Sequence, residues 1–169
     1  MKRRIKLPDD FFLGAAASAW QTEGWTGKKE HQDSYIDLWY KENKDVWHNG
    51  YGPAIATDYY HRYQEDIGYM KEIGMNCYRT SLNWSRFLID YENVIVDEDY
   101  AAYYDAMLDE LIAQGIEPMV CLEHYEIPGE LFKKYDGFAS KHVVDLFVRY
   151  AEKAFQRFGH KVKYWFAFN

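Results

Sequence analysis

The feature that most constrains the fold is a repeated order of a short apolar segment, a loop and an amphipathic helical segment. The segments that predict β-strands are residues 11–19, 76–82, 116–122 and 162–168, of which 76–82 is strand-like without being apolar. The helical segments between them end at Gly74, Gly115 and Gly159, a position that favours a glycine. Short helix-to-strand links with longer strand-to-helix loops predict an α/β fold whose parallel sheet has right-handed crossovers.

Each predicted helix carries an apolar stripe that should face the sheet. The stripes consist of Tyr60, Tyr63, Ile67, Met70 and Ile73; of Tyr104, Met107, Leu108, Leu111 and Ile112; and of Val144, Phe147, Val148, Ala151, Ala154, Phe155 and Phe158. Thr57 or Asp58 can cap the first helix. Residues 20–56 predict a long, functional connection with a helix around 36–40, and residues 84–97 predict a loop.

Composition excludes some classes of function and favours one. Lys plus Arg number 20 against 27 Asp plus Glu, so a net charge of −7 offers no basic surface to nucleic acid. Aromatic residues make up 19% of the chain, more than packing alone requires. Rigid amphipathic rings suit a surface that binds a sugar or another ring-shaped ligand.

Cysteine content and hydropathy predict the compartment. Cys77 and Cys121 are too few for a disulfide framework and lie in no zinc-binding spacing. Pro8, Asp9 and Asp10 follow the basic start where a signal peptide requires an apolar region, and no apolar run approaches the roughly 18 residues that span a bilayer. We expect a cytoplasmic protein without a metal site or a membrane segment.

Polar side chains gather where the predicted strands end, which is where parallel α/β folds bind ligands. They are Gln21, Glu23, Arg79, Asn83, Glu123, His124, Glu126 and Asn169. If the sheet curls as in a barrel, Gln21, His124 and Asn169 meet on one face, and amides with an imidazole suit sugar hydroxyls. The nearby rings of Trp20, Trp25, Trp84 and Tyr125 fit core packing as well as a sugar wall.

Arg79 lies in an otherwise uncharged strand, and a buried guanidinium needs an anion or several acceptors. Glu23 or Glu123 could be its partner, and so could a carboxylate from elsewhere. The sequence holds no GxGxxG, GxxxxGK[ST], GxSxG or HExxH motif. A doubly wound nucleotide-binding domain, a hydrolase triad and a zinc protease are therefore unsupported.

Five segments resemble glycoside hydrolase family 1, the β-glucosidases and 6-phospho-β-glucosidases. They are FFLGAAASAWQTEG (11–24), DYYHRYQEDI (58–67), YRTSLNWSR (78–86), GIEPMV (115–120) and KVKYWFAFN (161–169). The segments follow the family's order over essentially the whole chain. The last of them resembles the run into the family's Asn-Glu acid/base motif.

The resemblance implies a (β/α)8 TIM barrel that hydrolyses β-glycosides with retention and without a cofactor. Against a barrel of about 250 residues, residues 1–169 would form one segment, the N-terminal half with about four parallel strands. Retaining hydrolysis uses two carboxyl groups. The family pattern has its acid/base Glu directly after Asn169 and its nucleophile much later, so this chain alone is expected to be inactive.

The resemblance also implies roles for residues. Gln21 and His124 would hold sugar hydroxyls, Asn169 would contact the 2-hydroxyl, and Arg79 would support the nucleophilic carboxylate. Tyr125 is a further candidate for substrate binding. The carboxylates of Glu23, Glu123 and Glu126 would have supporting roles only.

Two departures from the family pattern bear on the substrate. Leu13 stands where the family usually has Trp, which would alter the floor of the site. The segment His124-Tyr125-Glu126-Ile127-Pro128 resembles the His-Phe-Glu-Met-Pro of the 6-phospho branch more than the His-Trp-Asp-Leu-Pro of plain β-glucosidases. This favours a 6-phospho-β-glucoside as the substrate.

A rival interpretation is a non-catalytic half-barrel module that binds sugar or assembles with itself or another chain. A half barrel leaves two strand edges unpaired and helices on only one face of the sheet. We therefore expect self-association through the exposed strand edges.

Overall fold

The computed structural model of the chain describes residues 5–169; the basic start of the chain, residues 2–4, lies outside the described residues. In chain order the elements are β1 (Gly14–Ala16), α1 (Ala19–Thr22), α2 (Tyr35–Glu42), α3 (Tyr59–Glu72), β2 (Cys77–Ser81), α4 (Trp84–Phe87), β3 (Leu88–Asp90), β4 (Ile95–Val96), α5 (Glu98–Ala113), β5 (Glu117–Glu123), α6 (Gly129–Tyr135), α7 (Lys141–Phe158) and β6 (Tyr164–Phe168). Single 3-10 turns occupy Lys44–Val46, His48–Gly50 and Gly137–Ala139.

Four strands form one parallel sheet in the order β1-β2-β5-β6. Ala16 pairs with Arg79, Arg79 with Met119, and Met119 with Tyr164, so the strands remain in register across the sheet. Helices α3, α5 and α7 provide the three crossovers. This confirms the predicted α/β fold with a parallel sheet and brings the carboxyl ends of all four strands to one edge.

The first strand is shorter and more exposed than predicted. The sequence predicts a buried strand over residues 11–19, but only Gly14–Ala16 pair with β2, and all three are exposed. The Asn76 side chain accepts the Leu13 N–H at 2.7 Å through Oδ1 and donates from Nδ2 to the Phe11 carbonyl at 2.8 Å, which diverts these backbone groups from the ladder. At the other end Ala19 already begins α1.

The hydrophobic core lies between the helices and one face of the sheet. Trp84 is fully buried and stacks on Tyr150 with ring centroids 5.2 Å apart. The Tyr150 hydroxyl donates to the carbonyls of Leu82 and Leu122, both at 3.0 Å, and so ties the ends of β2 and β5 together. Trp84 is therefore core packing, not a sugar wall.

The buried band of each helix is narrower than the predicted stripe. Five predicted core residues are exposed, namely Ile73, Ile112, Val144, Val148 and Phe155. On α7 the buried positions include Val143, Leu146 and Tyr150, which the predicted stripe omitted. The difference arises because the rotation of a helix about its axis is set by what it packs against, and spacing alone leaves that rotation open by about one residue.

The long connections hold more structure than the sequence pattern indicates. Residues 20–56 contain α2, which confirms the helix predicted around 36–40; Ser34 and Asp37 form its capping box. Residues 84–97, predicted to be a loop, contain α4 and the antiparallel pair β3-β4. Elements this short fall below the window in which hydrophobic periodicity is measurable. In the part of the chain described here, no helix has the length and apolar character needed to cross a membrane.

Adjacent residues of α5 provide a matched test of the core. Leu111 is fully buried, whereas Ile112 is 46% exposed. We expect Leu111→Ala to lower the free energy of unfolding by about 2 to 5 kcal/mol, because a cavity is added to the lost burial. Ile112→Ala should cost less than about 1 kcal/mol. Urea unfolding followed by circular dichroism measures both, and equal losses would contradict the orientation of this helix.

Candidate functional site

The predicted site residues lie at the edge of the sheet where the parallel strands end. Arg79 lies on β2, His124 directly follows β5, Asn169 follows β6, and Gln21 lies on α1 just beyond β1. The Arg79 Nη1 donates to Asn169 Oδ1 at 3.0 Å, and the guanidinium lies over the Phe166 ring at 5.0 Å. Arg79 and Asn169 are thus brought into direct contact although they are 90 positions apart in the chain.

Arg79 has no carboxylate partner among residues 5–169. The two partners considered from the sequence are both wrong, because Glu23 pairs with Arg86 at 3.2 Å and Glu123 accepts the backbone N–H of Glu126 at 3.0 Å. Arg79 Nε is buried and has no hydrogen-bond partner in this part of the chain. A buried donor without an acceptor is costly, so the position is suited to an additional anionic or polar group.

His124 is half-buried near Arg79, and its Nδ1 is buried without a hydrogen-bond partner among the described residues. Burial lowers the pKa of this imidazole, and the positive charge of Arg79 lowers it further. The ring is therefore neutral at neutral pH. A neutral imidazole carries one donor and one acceptor, which is the combination that a sugar hydroxyl can use.

Tyr125 has an unusual backbone conformation. Its φ angle of 67° lies in the left-handed region, which costs a non-glycine residue about 1 kcal/mol or more. The side chain is 51% exposed and lines a cavity of about 190 Å³ with Tyr35, Phe132 and Phe138. The strained turn presents an aromatic ring at the end of β5 instead of burying it.

Gln21 is exposed and lines a separate open cavity of about 730 Å³. The rings of Trp20, Tyr40 and Trp47 form one wall, and residues 50–57 form another. No hydrogen bond within residues 5–169 joins the Gln21 side chain to His124 or Asn169. The predicted meeting of all three side chains on one face is therefore not seen as direct contact.

The aromatic residues near the site divide between two roles. Trp20 and Tyr125 line cavities, as does Trp47, which the sequence reasoning missed. Trp25 is anchored, because its Nε1 donates to Asp37 Oδ1 at 2.9 Å and Lys28 lies over its ring at 4.4 Å. The same carboxylate of Asp37 also accepts from Trp20 Nε1 at 3.0 Å. In the sequence, the capping-box spacing of Ser34 and Asp37 is the signal that could have found this carboxylate.

Glu23 and Glu126 carry two of the buried carboxyl groups near the strand ends. Glu23 faces Arg86 and accepts from the Tyr100 hydroxyl at 2.9 Å; burial nevertheless raises its pKa to about 7. Glu126 is fully buried and pairs with no cation among residues 5–169, and burial raises the pKa of its carboxyl well above the usual range. Arg86 and Tyr100 were missed by sequence reasoning, although an Arg followed directly by the apolar pair Phe87-Leu88 is a signal for a buried ion pair. Within residues 5–169 no cluster of three or more His, Cys, Asp or Glu side chains is arranged to hold a metal ion.

Comparison with known proteins identifies the family. The family model described as Glycosyl hydrolase family 1 matches residues 3–169. The chain belongs to glycosyl hydrolase family 1. Its four parallel strands and their helices are accordingly the N-terminal part of a (β/α)8 TIM barrel.

Curated family 1 relatives include both plant and bacterial proteins. Beta-glucosidase 24 of Oryza sativa subsp. japonica is 41% identical over 99% of this chain and 33% of its own length. Aryl-phospho-beta-D-glucosidase BglA of Bacillus subtilis (strain 168) is 38% identical over 96% of this chain and 36% of its own length. The chain spans about a third of the length of the curated relatives that it matches.

Solved structures of the family superimpose closely on the chain. The rice Os3BGlu6 beta-glucosidase gives a TM-score of 0.86 at 34% identity, covering 94% of this chain and 33% of its own. The aphid myrosinase gives a TM-score of 0.89 at 30% identity, covering 98% of this chain and 36% of its own. Both similarities confirm the predicted barrel segment.

The neighbourhood of His124 can be tested by its titration. We expect the pKa of His124 to lie below 6.5. In Arg79→Met it should rise toward 6.5 without reaching it, because burial, the larger cause of the lowered pKa, remains. Since the folded chain then binds fewer protons than the unfolded chain, this group makes unfolding easier as the pH falls below 6.5. NMR of the imidazole carbons measures the pKa.

The control for this titration is Arg149→Met, which removes an exposed arginine on α7 and should leave the His124 pKa unchanged. A pKa at or above 6.5 in the unmodified chain, or one indifferent to Arg79→Met, would contradict the described geometry.

Proposed function

We propose that this chain is the part of a retaining β-glycosidase that binds the sugar at the cleaved bond. The observation that carries the proposal is Arg79, which contacts Asn169 at 3.0 Å and keeps a buried Nε donor without a partner among the described residues. In this proposal Arg79 supports the nucleophilic carboxylate by donating a hydrogen bond to it from Nε. Asn169 contacts the 2-hydroxyl of the same sugar.

The remaining sugar contacts come from the other strand ends. Gln21 offers an amide, and His124 offers a neutral imidazole, so both can exchange hydrogen bonds with hydroxyl groups. Tyr125 adds an exposed ring against which the apolar face of a pyranose can pack. Membership of glycosyl hydrolase family 1 supports a β-glycoside as the ligand class.

The mechanism proposed for the whole protein divides the work between two carboxyl groups. One attacks the anomeric carbon and forms a covalent glycosyl-enzyme, while the other protonates the leaving oxygen and later activates water. The three acids at the strand ends do not suit these roles, because Glu23, Glu123 and Glu126 are buried and accept hydrogen bonds from the protein. We propose that residues 1–169 act as a single half-barrel segment, that the acid/base Glu follows Asn169 in the whole protein, and that the nucleophile lies much later.

We further propose a 6-phospho-β-glucoside as the substrate. The segment from His124 to Pro128 supports this choice, as does a match to a bacterial protein named as a 6-phospho-beta-glucosidase, GmuD of Bacillus subtilis (strain 168), at 38% identity. A cytoplasmic location fits a phosphorylated substrate, and both cysteines, Cys77 and Cys121, are free and buried.

Ligand binding by the 169-residue chain tests the site. Titration calorimetry with glucose and with glucose 6-phosphate should show binding that Gln21→Ala weakens about tenfold, the effect of one or two lost hydrogen bonds. Gln156→Ala, which removes an exposed amide on α7, is the matched control. Unchanged affinity in Gln21→Ala would exclude this contact.

A hydrolysis assay of the same chain tests whether both catalytic carboxyl groups lie outside residues 1–169. We expect no release of nitrophenol, not even a burst, from p-nitrophenyl β-glucoside or its 6-phosphate. Turnover that co-purifies with the chain and is lost in Glu126→Gln or Glu123→Gln would contradict the proposal, because it would assign the chemistry to acids within residues 5–169.

A second candidate function is a self-assembling half-barrel module. The observation in its favour is apolar surface at both outer strands, where Leu13 beside β1 and Phe166 and Phe168 on β6 are 41 to 53% exposed. Strand edges of this kind attract further strands. In this candidate a second copy of the chain covers the edges.

Light scattering at micromolar concentration tests self-assembly. We expect a dimer or larger species, and we expect Leu13→Lys to reduce its mass because a charge beside an edge strand opposes pairing. The control Ile112→Lys, at an exposed position on α5, should leave the mass unchanged. A monomer with a cooperative melt would count against self-assembly.

A further inference from the structure

One buried carboxyl group touches both segments that carry the candidate sugar contacts. Glu126 Oε1 accepts the backbone N–H of Trp20 at 2.7 Å and the Ser81 hydroxyl at 3.0 Å. Ser81 Oγ in turn accepts the backbone N–H of Ala19 at 2.8 Å. Residues 19, 81 and 126 lie at or just beyond the carboxyl ends of β1, β2 and β5, so this cluster links the ends of three strands.

The first turn of α1 depends on this cluster. The helix has only four residues, too few to be stable alone. Its first two amides, at Ala19 and Trp20, are satisfied by Ser81 and Glu126 and not by a local cap. Gln21 follows directly, and its own N–H donates to Ser18 Oγ at 3.4 Å, so the two tertiary hydrogen bonds and this local cap together determine where its side chain begins.

The backbone of Glu126 belongs to the turn that carries His124. The Glu126 N–H donates to Glu123 Oε1 at 3.0 Å, and the Glu126 carbonyl accepts the Ser85 N–H at 3.2 Å. The strained Tyr125 lies inside the same turn. A shift of Glu126 would therefore move His124 as well.

The charge state of Glu126 suits a structural acceptor. No cation pairs with it among the described residues, and the nearby carboxyl groups of Glu23 and Glu123 further disfavour its ionised form. A neutral acid keeps a carbonyl oxygen that can accept both hydrogen bonds, and a glutamine can supply the same oxygen.

We propose that Glu126, with Ser81, is a positioning residue that holds Gln21 and His124 at a fixed separation for one sugar. The idea rests on the proposed function, because the separation matters only if both side chains contact the same ligand. Glu126 does not touch substrate in this proposal; it acts through α1 and through residues 123–126.

NMR of the labelled 169-residue chain without ligand provides the test. In Glu126→Leu, which keeps the volume but removes the acceptor, we expect the Trp20 amide to exchange about tenfold faster. We also expect the Gln21 side-chain amide and His124 imidazole signals to shift, while amides of α7 remain in place. Glu126→Gln should restore all three, and Glu130→Leu, at an exposed position, should change none.

Two outcomes would overturn the proposal. One is a Glu126→Leu chain in which Gln21 and His124 keep their signals; the other is a Glu126→Gln chain as disturbed as Glu126→Leu. If Glu126→Leu does not fold, Ser81→Ala replaces it in the test. This variant should shift the NMR signals of Ala19 and Gln21 to a smaller extent. A folded Ser81→Ala chain without these shifts would equally overturn the proposal. Because no sugar is present, a failure to bind glucose or glucose 6-phosphate refutes the proposed function and leaves this result unaffected.

Discussion

The parallel hydrogen-bonded ladder of β1, β2, β5 and β6 is the constraint on which the rest of the structure depends. Parallel strands require crossovers, and those crossovers place α3, α5 and α7 against the sheet and bring all strand ends to one edge. Arg79 and Asn169 can therefore meet although they belong to strands far apart in the sequence. The topology alone, before any side chain is considered, makes the carboxyl ends of these strands the candidate site.

Buried polar groups hold this edge in shape. Tyr150 bridges the carbonyls of Leu82 and Leu122, Arg86 reaches Glu23 and the carbonyls of Gly24 and Thr26, and Glu126 accepts from α1. Burying a polar group is favourable only when it is hydrogen-bonded, so each of these contacts restricts the loops to one arrangement. The aromatic excess divides accordingly. Rings such as Trp84 fill the core, whereas Trp20, Trp47 and Tyr125 line openings.

Sequence reasoning succeeded where a pattern is long and failed where it is short or depends on distant partners. The three crossover helices were predicted because their periodicity extends over 14 to 18 residues. The four strands were predicted from their place in alternation with these helices, not from a period of their own. The hairpin β3-β4 and α6 were not, since two to seven residues carry no measurable period. Ile112 and Val148 were assigned to the core because spacing defines a helical face but not the rotation of that face toward the sheet. The structure places Gln21, His124 and Asn169 just beyond the ends of strands, as the sequence pattern predicted. Both proposed partners of Arg79 were wrong, because a partner depends on which loops fold back.

The sequence by itself determined the order of strands and helices, the family to which the chain is similar, and the residue types available at the strand ends. These follow from local spacing and from motifs that lie within single segments. Only the tertiary structure decided which buried acid pairs with which donor. Glu23 pairs with Arg86, and Glu126 accepts the backbone N–H of Trp20. Arg79 Nε donates to no group among the described residues. The physical reason is that a hydrogen bond or an ion pair depends on distances of about 3 Å between atoms far apart in the chain, and no local pattern encodes such a distance.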